Sequence, residues 1–587
     1  LNSVSAGTGD GVYVSGGTAQ IEACTIAQNF GQGIQRVGGT VTVSNSVIWA
    51  NGDDINGSVT LAYSCIQDGD NNLTNGCFMT NPQFERGFYL RSSSPCINAG
   101  SIDASAIGLS SYTTQTNGII DSGTIDIGYH YKQGINPSAL DFYVAQNGND
   151  SNNGKSWGSA LRSITKAVSL SQDSAHIYVA TGLYNEASGE IFPITFAQRL
   201  GIQIIGTNRF HTVVKSPGTG NKQIFYFVNS GGDIVLQGIR MDTGRCGTYG
   251  GGLALYRSWV AATNCDIVNC TAGSSSGGRG GGIYMSHASM ILDNCVLTNN
   301  YAYSDWGTYG GAVYLEGDST FHATQCAFHK NKTYRSGYTY GGAFYLSGSS
   351  SSEGLRLINC LITGTYLTSG GTMQGGGIYL NGGNLYMENC TVADNGGGEG
   401  IRRNNGNISL NNCIIWNNGD DLRDVSPSSF VYCNVEDGDN NGTNGCTSIN
   451  PLFADQNTYH LKSKAGNYIS GFFSGGSWVQ SATNSPLVDT GNPILQWTSE
   501  PQPNGRRINM GAYAGTPVAS KTFLEEPGIF TSITVHAYPV SNLGSNYGTL
   551  SGEVVHTGGG TDPLVFMLWG DNNPGVTTQG WDNVINI

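Results

Sequence analysis

Charge is scarce in this chain. Of 587 residues only 12% are Asp, Glu, Lys or Arg, and 27 Lys and Arg face 41 Asp and Glu. The formal net charge of −14 argues against nucleic acid or an anionic membrane surface as partner. It also disfavours polyanionic substrates unless a metal ion intervenes. Long apolar runs are missing as well: no stretch approaches the roughly 20 apolar residues of a membrane span. The nine histidines and 14 cysteines offer no His pair and no CxxC at metal-ligand spacing, which argues against zinc. No signal-peptide pattern opens the chain. Leu1 falls inside a repeat-like pattern, so the expectation is a piece of a longer, secreted protein.

What the chain has in excess is glycine, 87 residues of it, with neither a collagen period nor a loss of apolar residues. Turn-rich, strand-rich architecture fits that composition better than disorder. Between Gly250 and Trp416 a short pattern recurs. A glycine pair and an apolar strand open the copies at Gly251-Gly252-Leu253, Gly281-Gly282-Ile283, Gly310-Gly311-Ala312, Gly341-Gly342-Ala343 and Gly376-Gly377-Ile378. A second strand follows around Cys265, Cys295, Cys326, Cys360, Cys390 and Cys413. The intervals between these cysteines are similar but not equal, and the last, from Cys390 to Cys413, is the shortest. Self-similarity at this period marks a solenoid. Each Cys is followed two residues on by an apolar residue (Ile267, Leu297, Phe328, Ile362, Val392, Ile415), the period-2 pattern of a strand with one buried face. Constant strands with variable turns predict an all-β fold, a right-handed parallel β-helix. The repeating cysteines, with Cys24 as a seventh, are expected to point inward as small, inert hydrophobes.

The amino-terminal part of the chain, up to position 135, repeats the end of this solenoid. Ile21–Ile26 matches Met387–Val392, Asn51–Ile55 matches Asn418–Leu422, Cys65–Asn72 matches Cys433–Asn441, and Asn81–Phe84 matches Asn450–Phe453. The expected order is therefore the last coils of a first β-helix (1–135) and a complete second one (141–516). A β-sandwich portion (517–587) follows. Pro137 marks the first boundary. Apolar residues at 161, 164, 167 and 168 predict a short helix over Ala160–Val168 that closes the open end of the second solenoid.

These motifs carry a resemblance. The line from Tyr143 to Val168 and the strand Ile177–Glu186 resemble the start of pectate-lyase-like right-handed β-helix proteins. The glycine-pair coils look like those of polymorphic bacterial outer-membrane proteins. Asp126–Tyr131 and the Asn450–Phe453 and Ser485–Pro493 stretches look like the choice-of-anchor group of bacterial surface proteins. The tail, Leu550–Gly575, is similar to fibronectin-like modules of giant secreted bacterial proteins. The resemblance implies an extracellular or cell-surface setting, and it extends to lyases and inert adhesins alike.

Candidate chemistry is sparse. Asp420-Asp421 and its double Asp53-Asp54 offer paired carboxylates, but the Gly-His-Gly and Arg-x-Lys lines of β-helix hydrolases do not occur. Arg402-Arg403 is an adjacent basic pair with no acidic cluster beside it. No residue is assigned a catalytic role. Asp68, Asp70, Asp437, Asp439, Asn149 and Asp150 lie in turns that could supply oxygen ligands to a structural calcium, or simply be turns; no other cofactor is expected. Cys65 with Cys77 and Cys433 with Cys446 are expected as disulfides, with Cys246–Cys270 a weaker pair and Cys96 left over. Tyr249, Tyr301, Tyr303, Trp306, Tyr309, Tyr334, Tyr338, Tyr340 and Tyr366 sit in the long turns. They are expected either to form a ridge that binds sugar faces or a protein partner, or to pack on one another and stiffen the turns. The expected role is structural or adhesive, with surface glycans, other surface proteins or copies of the same chain as partners. A carbohydrate-active enzyme and a self-assembling fibre are the alternatives.

Overall fold

The computed structural model describes residues 11–29, 31–68, 74–132, 140–275, 277–335, 338–348, 354–369 and 373–522, with four short strands beyond them. Pro137 and Asp70 lie outside these residues. Two compact units are present, Leu1–Asn450 with Met510–Tyr513, and Pro451–Asn509 with Ala514–Ile587.

The first unit is a parallel β-helix. Each coil of its central part gives one strand to each of three lines: A (Leu253–Tyr256 in one coil), B (Trp259–Thr263) and C (Asp266–Val268). Lines A and B join in an 18-stranded sheet and line C forms a 10-stranded one. Register is kept from coil to coil: Leu253 pairs with Ile283, then Val313, Phe344 and Ile378 follow in the same column. This column is fully buried, so coils that could not bury an apolar face alone do so by stacking. Aromatic residues widen the core at two levels, Phe196, Phe225 and Phe227 near its start and Phe321, Phe328 and Phe344 farther along.

The Asn-Cys pairs are not strand centres, as the sequence pattern suggests, but corners. Line B ends at Thr263 and line C begins at Asp266. The residue before each Cys turns the chain with a left-handed backbone: φ is 52° at Asn264, 48° at Asn294, 51° at Asn359, 50° at Asn389 and 56° at Asn412. Asparagine tolerates this conformation better than other residues with a Cβ, which is why it recurs. The glycine before each line A strand serves the same purpose where a Cβ would meet backbone; Gly250 and Gly310 have φ of 55° and 60°.

A second buried column follows line C. Asn300 donates to Asn331 Oδ1 at 3.0 Å, and Asn395 to Asn418 Oδ1 at 3.0 Å, with Thr365 between them. The column ends on Asp421, whose Oδ1 accepts the Asn418 amide at 2.9 Å and whose Oδ2 accepts Glu436 N at 2.7 Å. The amino-terminal copy repeats this ending. Asn29 donates to Asn51 and Asn51 to Asp54, both at 2.8 Å, and Asp54 Oδ2 accepts Gln67 N at 2.7 Å.

A strap returns over the outside of line C in both copies. Gly128 N donates to Asn45 O at 2.9 Å and Tyr129 N to Thr25 Oγ1 at 3.0 Å. In the second copy Gly511 N donates to Asn412 O and Ala512 N to Thr391 Oγ1, each at 3.0 Å. The two copies of the β-helix meet through a loop: Arg86 forms a bidentate pair with Asp141 (2.8 and 3.3 Å), both largely buried. Gly201 leaves room there for the backbone of Arg86 and Gly87.

The cap helix is shorter than expected. It spans Ile164–Leu170, capped by Ser163, whose Oγ accepts Lys166 N at 3.1 Å. Leu161 instead forms a β-bridge with Val144. The buried carboxylate of Glu190 accepts Ile164 N and Thr165 N at 2.7 and 2.9 Å at the helix start. In the second unit, Asn467–Ile469 pairs antiparallel with Ser477–Val479. Farther on, Thr534–Ala537 pairs with Gly552–His556 and Phe566–Trp569 with Asn583–Asn586, both antiparallel.

Candidate functional site

The shortest coils, such as the one from Cys390 to Cys413, hold lines A to C alone. Longer coils insert two more strands between C and the next A. Line D comprises Arg245–Cys246, Thr271–Ser274, Tyr301–Ser304, Lys332–Arg335 and Tyr366–Ser369; line E comprises Gly278–Arg279, Thr308–Tyr309, Thr339–Tyr340 and Met373–Gln374. Lines D and E form an arm on the flank of the solenoid. Its interior is narrow and takes only small side chains, among them Ala272, Ala302, Thr308 and Thr339, all at 0% exposure.

The arm separates the candidate aromatic residues onto two faces. Tyr249, Tyr309 and Tyr340 point into the angle between line E and line A. There they meet a column that the sequence analysis did not single out: Tyr284, Tyr314, Tyr345 and Tyr379, each the residue after the first apolar position of line A. Neighbours in this column stack with ring planes 7°, 1° and 4° apart and centroids 5.6, 5.2 and 5.4 Å apart. Tyr309 closes edge-on against Tyr345 at 4.9 Å, and Tyr340 packs at a tilt against Tyr379 at 4.8 Å. Tyr284 donates to the Glu316 carboxylate, while Arg279 sits 5.6 Å over Tyr249 and 5.5 Å over Tyr314. The column is buried, Tyr284 at 2% and Tyr314 at 6% exposure. Tyr249, Tyr309 and Tyr340 thus brace the arm rather than form an exposed ridge.

The outer face of line D is different. Tyr301 and Tyr303 stack at 5.4 Å, and Tyr303 lies against Gly273, where a Cβ would collide with its ring. Lys332 Nζ lies 4.9 Å over Tyr301, and Arg245 lies 5.5 Å over Tyr303 and donates to its hydroxyl. Tyr334 pairs in register with Tyr303, and Tyr366 with Lys332. Tyr334 and Tyr366 are 51% and 60% exposed. At the tip of the arm Trp306 is 75% and Tyr338 56% exposed. Strands in register lie about 4.8 Å apart, so these rings form a slab along the solenoid axis with Arg245 and Lys332 set among them and no Asp or Glu in the strands of line D.

One carboxylate of each adjacent pair is engaged in the scaffold. Asp421 is buried with both oxygens engaged at the end of the asparagine column, and burial pushes its carboxyl up to about 6, as it does for Asp54. Asp68 and Asp437 each accept the backbone N–H of the Asp before them in the column, Asp54 and Asp421, at 3.0 Å. Asp150 accepts Arg162 N and Ser163 N at 2.8 and 2.9 Å ahead of the cap helix, and Asn149 accepts Ser151 N at 2.9 Å. Asp439 is raised, by burial and by nearby Asp437 and Asp420. Among the described residues no group of three or more His, Cys, Asp or Glu is placed to hold a metal ion. Arg402, which the local sequence leaves unpaired, bonds Glu399 at 2.7 Å.

The expected disulfides are not formed: all 14 cysteines are free thiols. Cys433 and Cys446 are further rungs of the inward cysteine column, Cys433 N meeting Cys446 Sγ at 3.5 Å much as Cys265 N meets Cys295 Sγ at 3.4 Å. Cys65 donates to Thr80 O at 3.1 Å and, unlike Cys77, belongs to a small core with Cys96, Val47 and Leu90. The duplicated loops keep these cysteines because they fill the last core positions.

Sequence reasoning misses one buried pair. Asp121 Oδ2 accepts Asp126 N at 2.8 Å and lies 2.8 Å from His130 Nε2, with the Asp121 and His130 side chains each 1% exposed. The corresponding group in the second copy is Glu500, whose Oε1 accepts Asn509 N at 2.9 Å and Gly515 N at 2.8 Å. Glu500 has no histidine beside it, and burial pushes it up to about 8.

Residues 311–480 match the right-handed β-helix region family, and residues 146–234 match a family described as a protein of unknown function (DUF1565). Up to Asn450 the first of these stretches lies in the right-handed parallel β-helix. Among solved structures it is similar to the pectate lyase Pel9A, at 16% identity over 63% of this chain and 95% of that one, with a TM-score of 0.36. It is also similar to a rhamnogalacturonan lyase (14% identity, 47% and 74% of the two chains, TM-score 0.28). A third is the pectin methylesterase PemA from Erwinia chrysanthemi (11%, 49% and 93%, TM-score 0.24). No curated protein matches.

Proposed function

We propose that this chain is part of a non-catalytic, extracellular surface protein in which a β-helix stalk presents the outer face of line D to glycans. The observation that carries the reading is the slab itself. Tyr301, Tyr303, Tyr334 and Tyr366 are held in register by a stacked backbone, and Tyr334 and Tyr366 are exposed. Planar aromatic surface at fixed spacing suits the C–H faces of successive sugar rings, which gain by covering it. The tail, by its likeness to fibronectin-like modules, would belong to the same extracellular array.

Catalysis is the competing reading, since the fold is shared by polysaccharide lyases and surface proteins. Against it stands the engagement of Asp54 and Asp421 in the asparagine columns, which leaves neither carboxylate facing a substrate. A hydrolase needs such a pair free and set across the scissile bond.

The test is incubation of the purified chain with a panel of polysaccharides, with and without calcium, scoring retention separately from new reducing or unsaturated ends. Retention without cleavage, lost in Tyr334→Ala/Tyr366→Ala, is the expected result. New chain ends would overturn it in favour of the enzyme. Absence of both would remove glycan binding and leave the stalk.

A further inference from the structure

A cavity of about 340 Å³ opens near the end of the first β-helix copy, away from the arm. Its volume falls within the range of small-molecule sites. Seven of its eight lining residues are polar; Leu90 is the exception. Two chain segments build it, the loop that carries Glu85 and Arg91 and the turn Gln115–Asn117.

The lining carries one carboxylate, Glu85, and one guanidinium, Arg91, and Asp233 is close enough for its charge to act on both. Glu85 Oε1 accepts the Thr116 hydroxyl, and Oε2 lies 3.9 Å from Arg91 Nε, too far for a hydrogen bond. One carboxylate oxygen and the guanidinium Nη groups therefore keep capacity for a guest. Arg91 is 60% and Glu85 32% exposed at the side chain, so both are reachable. Gln115 and Asn117 bond each other at 3.2 Å, and Asn117 Oδ1 holds Ile119 N at 2.9 Å. These bonds fix the amides at the rim and leave Asn117 one N–H and Gln115 both of its N–H groups.

We propose that this cavity binds one neutral sugar ring. A ligand carrying net charge would meet a like charge at Arg91 or Glu85, whereas a neutral ring engages both. Vicinal hydroxyls can donate to a carboxylate and accept from a guanidinium at once, and hydrogen bonds to charged partners are stronger than neutral ones. Leu90 supplies the single apolar patch that a C–H face covers. In the matching loop of the second copy Ala454 stands where Glu85 does, so the carboxylate is particular to the first. The cavity shares no residue with line D, so it does not depend on the arm binding glycans.

The experiment is calorimetric titration of the full chain with methyl glycosides of neutral hexoses, beside methyl glucuronide and methyl glucosaminide as charged controls. Saturable binding of at least one neutral glycoside is expected, weakened at least tenfold in the isosteric Glu85→Gln and in Arg91→Ala. Each titration is repeated in the Tyr334→Ala/Tyr366→Ala background, where line D does not contribute to the signal and binding at the cavity should persist. Circular dichroism of each variant confirms that the solenoid is intact. No saturable neutral glycoside, tighter binding of either charged control, or unchanged binding in Glu85→Gln would each overturn the proposal. Because the arm variant is read in parallel, failure here leaves the line D reading untouched, and the reverse also holds.

Discussion

Glu500 allows a sharp test of how the two copies solve one electrostatic problem. In the second unit its Oε1 takes two backbone N–H groups at 2.9 and 2.8 Å, and only 4% of the residue is exposed. Its carboxyl is pushed up to about 8 by burial, in part offset by those two N–H groups. An unfolded Glu titrates near 4.3. Between these values the folded form holds a proton that the unfolded form has lost, so the stability is fully present below about 4.3 and falls as pH rises to about 8. Integrating the linkage from pH 5 to pH 8 gives a loss of roughly 3.5 kcal/mol from this group. Glu500→Gln keeps an oxygen for both N–H groups and cannot ionise. The assay is hydrogen exchange of the Asn509 and Gly515 amides, with thermal unfolding, in parent and variant at pH 5, 6, 7 and 8. Other buried carboxyls titrate identically in both proteins, so the difference isolates Glu500. The variant should gain on the parent steadily with pH and be the more stable protein at pH 8. Parallel curves would refute the reasoning, because they would mean that Glu500 is already ionised when folded.

The same substitution in the first copy should act with opposite sign. Asp121→Asn keeps one oxygen for Asp126 N but replaces the carboxylate beside buried His130 with a neutral amide, and should destabilise by roughly 1–3 kcal/mol at neutral pH, read as lost exchange protection over residues 121–131. Reducing agent should leave the melting profile unchanged, since Cys65, Cys77, Cys433 and Cys446 are thiols; a downward shift would show that one of these loops is bridged. Gly273→Ala should lift Tyr303 off the backbone and abolish glycan retention on line D, while circular dichroism stays constant. Phe344→Ala empties a fully buried core position and should cost about 3–5 kcal/mol, measured by denaturant unfolding.

The coil repeat is legible in the sequence because one buried column forces one residue type to recur at each turn. The glycine pairs and the apolar residues after them mark line A, and the apolar residues two positions after the cysteines mark line C. Asn264 and its equivalents read as strand, since a left-handed corner leaves no mark in hydrophobic period. The tyrosine column of Tyr284, Tyr314, Tyr345 and Tyr379 is present in the repeat, yet an aromatic next to an apolar residue reads as core. Only the arm reveals it as an outward side chain that another strand covers. The separation of Tyr309 from Tyr334 onto opposite faces is out of reach for the same reason, because lines D and E have no fixed spacing. Cys433 and Cys446 mislead through their duplication, which preserves a core position as faithfully as a bond. Asp121 and Glu500 resist alignment altogether. The backbone N–H that Asp121 holds belongs to the nearby Asp126, whereas Glu500 reaches farther along the chain to Asn509 and Gly515.

The arm occurs only in consecutive long coils, and its insertion point leaves lines A, B and C in register. The scaffold and the display surface can therefore vary independently. Adding one armed coil would lengthen the slab by a single strand spacing, about 4.8 Å, without altering any existing core contact. On the proposed glycan reading, reach along a ligand is counted in whole turns of the solenoid, and tightness of grip is set separately by which side chains occupy line D. Such a protein would change what it holds by substitution and how much of it by duplication.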